Sequence, residues 1–303
     1  MIRVGVQTAG WYSEKDIDGS IKFIKECGFN AIDFNIDHKL PGAKIQSGEL
    51  TEFFNQDLET LYEFYRPLKE ACEKYDVQIG QMHAPYPVWV KDMDAVNDYM
   101  IMVIEKICAI CKYVGCPAFV VHPISRSTNE KEIATNLDLY RRMIPGAKKY
   151  GVKICLENIF SRHKDHIIEG RCSDVRDACM YIDTLNAEAG EELFGFCLDV
   201  GHANLTAKNL YEYIKTLGHR LTILHIHDND ARSDLHQMPY THTVDWEGFI
   251  EGLRAIDFRG TLGFETFRVM GTFPKAVHPS ALRLISDIGW YFASRIEAPK
   301  EEA

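Results

Sequence analysis

Long apolar runs are missing from this chain. None approaches the ~20 residues needed to cross a bilayer as a helix, so a membrane-spanning protein is not expected. The first residues, Met-Ile-Arg-Val-Gly-Val-Gln-Thr, begin as a strand and lack the three zones of a signal peptide. A cytoplasmic rather than secreted protein is therefore the expectation. An excess of basic residues is missing too. Lys and Arg number 34 against 44 Asp and Glu, a formal charge of −10, whereas affinity for a phosphate backbone comes mainly from clustered cations that release counterions. Neither nucleic acid nor a membrane is an expected partner. The nine cysteines are odd in number and sit mostly inside apolar patterns, which reads as reduced thiols. Cys108-x-x-Cys111 and Cys116 lack a second Cys/His pair at zinc-site spacing, so they read as small buried hydrophobes. There is no linker, no low-complexity tract and no charge run except Lys300-Glu301-Glu302, a tail expected to fray.

What the chain does have is alternation. At 303 residues a rule of ~150 residues per domain suggests two domains, but an α/β barrel runs to about 250 residues or more as one unit. Short runs rich in Val, Ile, Phe and Leu occur at Ile2–Val6, Ala31–Phe34, Val77–Met82, Ala118–Val121, Val152–Leu156, Phe194–Leu198, Leu221–Ile226 and Thr261–Phe264. Each suits a buried parallel strand. Between them, Ser20–Cys27, Asp57–Tyr75, Ala95–Val114, Glu130–Tyr150 and Leu210–Leu217 carry apolar residues at helical spacing. Gly28, Gly115, Gly151 and Gly218 follow such stretches as C-cap signals. Eight strands alternating with eight helices predict a (β/α)8 TIM barrel, one domain over residues 1–303. No G-x-G-x-x-G follows the first run, which removes the main support for a doubly wound sheet.

In such a barrel the active-site groups come from the C-terminal ends of the strands. The third run ends in His83-Ala84-Pro85-Tyr86, the fourth in His122-Pro123, and the fifth in Glu157-Asn158. The sixth ends in Asp199-Val200-Gly201-His202, the seventh in His225-Ile226-His227-Asp228, and the eighth in Glu265-Thr266. Singly, each reads as a structural histidine or a helix N-cap. The barrel makes them converge, and carboxylates and imidazoles crowded at one mouth need a cation. A divalent-metal site is expected, the mixed ligand types suiting Mn, Co, Mg or Zn without choosing among them. Asp234 and His236, two residues apart after the seventh run, are candidates for further metal or substrate contacts. His163, His166, His219, His242 and His278 read as surface or structural, Asp245 as an N-cap and Trp246 as a packing residue. Trp11, Tyr86 and Trp89 either wall a pocket or pack.

Taken in order, these motifs resemble the xylose isomerase-like TIM barrels, the superfamily of sugar and sugar-phosphate isomerases and epimerases that also contains endonuclease IV. The resemblance covers nearly the whole chain. It implies that, as in the ketose 3-epimerases, a Glu, Asp, His, Glu quartet holds one metal: Glu157, Asp199, His225 and Glu265. His227 shares a strand face with His225, and the family's H-x-x-D/E pattern selects His225 through Asp228. All nine ligand types of the three-zinc endonuclease have counterparts once His83, His122, His202, Asp234 and His236 are added, so up to three ions are implied. The chain departs from that nuclease at Asp199-Val200-Gly201-His202, which lacks its Cys, and at Thr241-His242-Thr243-Val244-Asp245, which lacks its Gly-rich segment.

The resemblance implies an isomerase or epimerase of a small keto-sugar or sugar derivative, with Glu157 and Glu265 as the catalytic base and acid on opposite faces of a metal-stabilised enediolate. The alternatives are a lyase on the same scaffold (an inosose dehydratase or a deglycosidase of an oxidised C-glycoside) and a phosphodiesterase resembling endonuclease IV. The partner is then a small-molecule carbohydrate. A homo-oligomer fits barrels of this kind, although no stretch of sequence identifies an interface. Arg126, Arg162 and Arg232 follow the fourth, fifth and seventh runs outside any phosphate motif, which favours a non-phosphorylated or otherwise modified sugar.

Overall fold

Branched and aromatic residues form strands at all eight of the expected runs. The computed structural model describes residues 1–125 and 129–299, so Arg126 and the Lys300-Glu301-Glu302 tail lie outside the described residues. The strands are β1 (Arg3–Gln7), β2 (Ala31–Asn35), β3 (Gln78–His83), β4 (Ala118–Val120), β5 (Lys153–Glu157), β6 (Phe160–His163), β7 (His166–Glu169), β8 (Phe194–Asp199), β9 (Leu221–His225) and β10 (Thr261–Phe264). Eight of them form one parallel sheet in the order β10-β1-β2-β3-β4-β5-β8-β9. A parallel bridge between Ile226 and Phe264 closes the seam, with Ile226 N donating to Gly263 O at 2.8 Å and Glu265 N to Ile226 O at 3.0 Å. The fold is a TIM barrel, its helices lying between successive strands.

Local sequence explains most helix ends. Asp16, Asp57, Asp174, Asn209 and Asp245 each accept a backbone N–H from the first turn of the helix that follows, the N-cap role that short polar side chains fill. Gly115 and Gly151 end their helices in the left-handed region, at φ 77° and 64°. Gly218 departs from this: at φ 55°, ψ −129° it leads into a short 3-10 turn, Gly218–Arg220. The stretch expected as one helix over Glu130–Tyr150 is two, Asn129–Arg141 and Ile144–Tyr150. Pro145 enters at the start of the second, where its missing N–H costs nothing. Short extra helices, Gly42–Ser47, Val200–Leu205 and Phe267–Thr272, add to the expected one per strand.

β6 and β7 were not among the expected strands. They pair antiparallel from Phe160 with Glu169 to His163 with His166, a two-stranded arm after β5 whose residues are mostly exposed. No described helix is long and apolar enough to cross a membrane. All nine cysteines are free, and all but the half-buried Cys179 are buried, including Cys108, Cys111 and Cys116.

The barrel interior sets up the site by simple alternation. Val120, Cys155, Cys197 and Ile223 belong to a buried cluster inside the barrel. Side chains two residues apart on a strand share a face. The next inward positions, one step nearer the C-terminal mouth, are therefore His122, Glu157, Asp199 and His225. Gln81 and His83 repeat the relation on β3.

Candidate functional site

The mouth of the barrel holds a cavity of about 500 Å³, lined among others by Gln7, Asn35, Asp37, Tyr86, Phe160 and Phe267. Into it the structure brings His83, His122, Glu157, His202, His225, Asp234, His236 and Glu265, with Asp199 fully buried beside them. All nine expected site residues thus converge. His225 sits at the centre. Its Nδ1 lies 3.6 Å from Glu157 Oε2, 3.7 Å from Glu265 Oε2 and 4.0 Å from Asp199 Oδ2. Neither ring nitrogen of His225 makes a hydrogen bond, and Glu157 Oε2 makes none either. Buried polar atoms without partners cost about 1–3 kcal/mol each, so a group that satisfies several at once is strongly favoured. Two atoms bound about 2.0–2.2 Å from one ion lie at most about 4.4 Å apart, and the three distances from His225 meet that limit. Asp199, His225 and Glu265 offer donor atoms all within 4.8 Å of one another, and Glu157 forms a second such group with Asp199 and His202, donors that suit a divalent cation.

Each ligand candidate is fixed by its other atoms. Glu265 Oε1 accepts from Gln7 Nε2 at 2.6 Å, leaving Oε2 toward His225. Glu157 Oε1 lies 3.3 Å from His202 Nδ1, while its Oε2 stands 3.1 Å from His122 Nε2 without the alignment of a hydrogen bond. Asp199 Oδ1 caps the helix Val200–Leu205 through His202 N at 2.6 Å. The Asn158 side chain donates to Asp199 O and accepts from Asp199 N, both at 2.8 Å, locking β5 to β8. On one flank His83 and His122 meet Nε2 to Nε2 at 2.9 Å. On the other, Asp234 Oδ2 lies 3.0 Å from His236 Nε2 and 3.8 Å from His202 Nε2.

His227 occupies a different place from His225. Its Nε2 lies 3.1 and 3.2 Å from the two Asp199 oxygens, and its ring stacks on His236 at 4.0 Å. Gly201 makes the room: a Cβ there would stand 1.9 Å from His227 Cε1. Gly201→Ala is expected to push His227 off Asp199 and cost about 1–3 kcal/mol by overpacking. Urea unfolding measures this, and an unchanged midpoint would refute the close-approach account.

Electrostatics follow from this crowding. Burial opposes ionisation of Glu157, but His122, His225 and His202 outweigh it and hold its pKa well below the usual range. Asp199 is likewise lowered against burial, by His202 and His227. Burial disfavours the His225 cation, yet its anionic neighbours, Glu265 and Glu157 among them, hold its pKa well above the ordinary value. His83 is raised to about 9 against burial, chiefly by Asp37. His83, His202, His225 and His236 are thus pushed toward the protonated form where a cation would supply charge. Cys197 lies close enough to Glu157 and His225 to join them, but burial pushes its thiol up, keeping it protonated.

Other residues singled out in the sequence lie outside the cavity. Arg162 and Arg232 are exposed and do not line the cavity. Trp11 donates to Gln7 O at 2.6 Å rather than walling the cavity. His163, His166, His219 and His242 are exposed and His278 half-buried. Residues that the strand-end reading passed over are Gln7, Asp33, Asn35 and Asp37. Asp33, buried on β2, lies 3.6 Å from His225 Nε2, and burial pushes its pKa up to about 6. Its signal was a carboxylate interrupting the apolar run Ala31-Ile32-Asp33-Phe34.

Comparison with known proteins agrees with this architecture. The structure of 3-keto-D-glucoside 4-epimerase, YcjR, from E. coli superposes with a TM-score of 0.69 at 19% identity, covering 95% of this chain and 100% of that one. D-Psicose 3-epimerase with D-tagatose, from Clostridium cellulolyticum H10, gives 0.70 at 13% identity, covering 96% and 99%. IOLI protein with a binding zinc atom gives 0.67 at 18% identity, covering 97% and 98%. Identities this low show a shared fold. Uncharacterized protein y4fM of Sinorhizobium fredii (strain NBRC 101917 / NGR234) is 33% identical over 75 residues, 25% of this chain and 24% of that protein, so the match spans about a quarter of the relative's length. The family described as xylose isomerase-like TIM barrel matches residues 21–288, and the chain belongs to it.

Proposed function

We propose that the protein is a divalent-metal-dependent isomerase or epimerase of a small keto-sugar or sugar derivative. The observation that carries the reading is His225 Nδ1, without a hydrogen bond and faced by oxygens of Glu157, Asp199 and Glu265 at 3.6 to 4.0 Å. These four residues are the proposed ligands, His227 being engaged with Asp199 and His236 instead. A divalent ion held there would supply Lewis acidity to a hydroxy-ketone, which acidifies the C–H beside the carbonyl. The zinc of the IOLI protein and the sugar epimerases among the structural neighbours support the same reading. The flanking groups, His83 with His122 and His202 with Asp234 and His236, are candidates for further ions or for substrate hydroxyls.

The chain's own residues then handle the proton. Glu157 and Glu265 reach the His225 ring from separate strand ends. One takes the substrate proton and the other returns it, to the opposite face for epimerisation or to the adjacent carbon for isomerisation. Gln7 holds Glu265 in place. Among the described residues lining the cavity none is Lys or Arg, which suits a neutral sugar.

The test is solvent-deuterium incorporation into a ketohexose panel of fructose, allulose and tagatose. Exchange is expected with Mn²⁺, Co²⁺ or Zn²⁺ bound and lost after chelation. Metal loading is expected to weaken as pH falls, because the protons held by the raised histidines compete with the ion. Undiminished exchange by metal-free protein refutes the proposal. Loss of water or of an aglycone, in place of an isomer, would make the enzyme a lyase on the same groups.

A further inference from the structure

The cavity at the barrel mouth continues past His122 and Tyr86 into an annex of about 160 Å³. The two spaces share Tyr86, His122 and Ile159. Their linings differ in charge. Where the main cavity offers carboxylates and imidazoles, the annex is walled by Pro87, Val88 and Trp89 from the loop after β3 and by Pro123 and Ile124 from the loop after β4, with Ser125 and the shared His122 and Tyr86 as its polar side chains. Such a wall gives little to a ring covered in hydroxyls and much to a flat apolar group.

Both walls are held rigid in the same way. Asn97, nearly fully buried, accepts from Val90 N at 2.7 Å and donates to Val90 O at 2.9 Å. Asn136, fully buried, accepts from Ile124 N at 2.8 Å and donates to Ile124 O at 2.9 Å. Each loop is thus clasped at both backbone polar groups by an asparagine of the helix that follows it. A pocket formed in advance spares the ordering cost of binding. Tyr86, 49% exposed and 4.6 Å from the His122 ring, stands where the two spaces join.

We infer that the substrate is a sugar bearing an apolar, single-ring substituent: the sugar ring sits at the carboxylate–imidazole cluster and the substituent, an aromatic aglycone, fills the annex. This rests on the sugar-binding reading above and narrows its substrate class from free keto-sugars to aryl glycosides of a keto-sugar, the carbonyl lying on a ring carbon other than the anomeric one. The volume decides the size, since an apolar cavity of about 150 Å³ accommodates benzene.

The experiment compares binding of phenyl and methyl pyranosides (α and β, gluco and galacto) to the metal-loaded protein by calorimetry. At least one phenyl glycoside is expected to bind about tenfold or more tightly than its methyl partner, the return on burying the extra ring carbons. Trp89→Ala removes one wall and Ile124→Trp fills the space, and both should bring the ratio toward one with bound metal unchanged. If Trp89→Ala does not fold, Ile124→Trp alone decides. Ratios near one throughout the wild-type panel, a failure of every phenyl glycoside to bind, or a preference that survives Ile124→Trp would overturn the inference. Binding needs no turnover: a protein that keeps the phenyl preference but exchanges no proton of either the ketohexoses or the keto forms of the phenyl glycosides sinks the isomerase reading alone, and exchange without a phenyl preference sinks only the annex.

Discussion

Glu157→Gln and Glu265→Gln are each expected to slow solvent-proton exchange by about 10³-fold or more, with the fold retained. Acid–base groups contribute about 10²–10⁴ in rate, and each glutamate also lends charge to the proposed ion. Gln matches Glu in shape, so the change removes the charge and the proton acceptor with little repacking. At position 265 the new amide can still offer an oxygen to Gln7 Nε2, which now donates to Glu265 Oε1 at 2.6 Å. At position 157 the loss is broader, because that carboxylate faces His122, His202 and His225 together. Glu157→Gln is therefore expected to lower metal content as well as exchange, and Glu265→Gln to act more on exchange. Deuterium incorporation and metal analysis on the same samples separate the two effects. A variant keeping more than a tenth of wild-type exchange has lost no essential acid or base.

The site was legible because the barrel turns sequence position into spatial position. Glu157, Asp199, His225 and Glu265 each end an apolar run, and a closed parallel sheet brings such ends to one mouth. Asp33 and Gln7 follow the same inward alternation but escaped notice, the first because it lies within its run and the second because a neutral amide is not a metal ligand type. The arm formed by β6 and β7 was hidden for another reason. Its strands, Phe-Ser-Arg-His and His-Ile-Ile-Glu, are mostly exposed, so no buried face imposes an alternating pattern. The split of the Glu130–Tyr150 stretch was written in Pro145, which starts a helix more readily than it sits inside one. The annex was the least readable feature, since Trp89 and Ile124 come from different loops and meet only in the folded barrel.

Asp228 closes the H-x-x-D match that begins at His225, and its surroundings give it a separate task. Fully buried, its Oδ1 accepts from Asn229 N at 2.9 Å and Val244 N at 3.1 Å, and its Oδ2 from His242 N at 3.0 Å and Trp246 Nε1 at 3.2 Å. One carboxylate therefore gathers both ends of the segment 229–246, which carries Asp234 and His236 to the mouth. The backbone pair between Asp228 and Gln237, with N–H to O distances of 2.8 and 3.1 Å, braces the segment midway. Asp228→Ala leaves four donors without an acceptor, three of them in bonds shielded from water and the His242 N–H nearer the surface. At about 1–3 kcal/mol per stranded group, less what relaxation and water recover, the expected loss of stability is about 3–5 kcal/mol. Asp228→Asn keeps one carbonyl oxygen and turns an amide against the remaining donors, so it should fall between alanine and wild type. Urea unfolding reads the stability, and amide exchange across residues 229–246 reads whether the loss begins in that segment. A change below 1 kcal/mol for Asp228→Ala would mean that the segment is held by its own packing. The carboxylate would then be a bystander, and the order of Asp234 and His236 would need another cause.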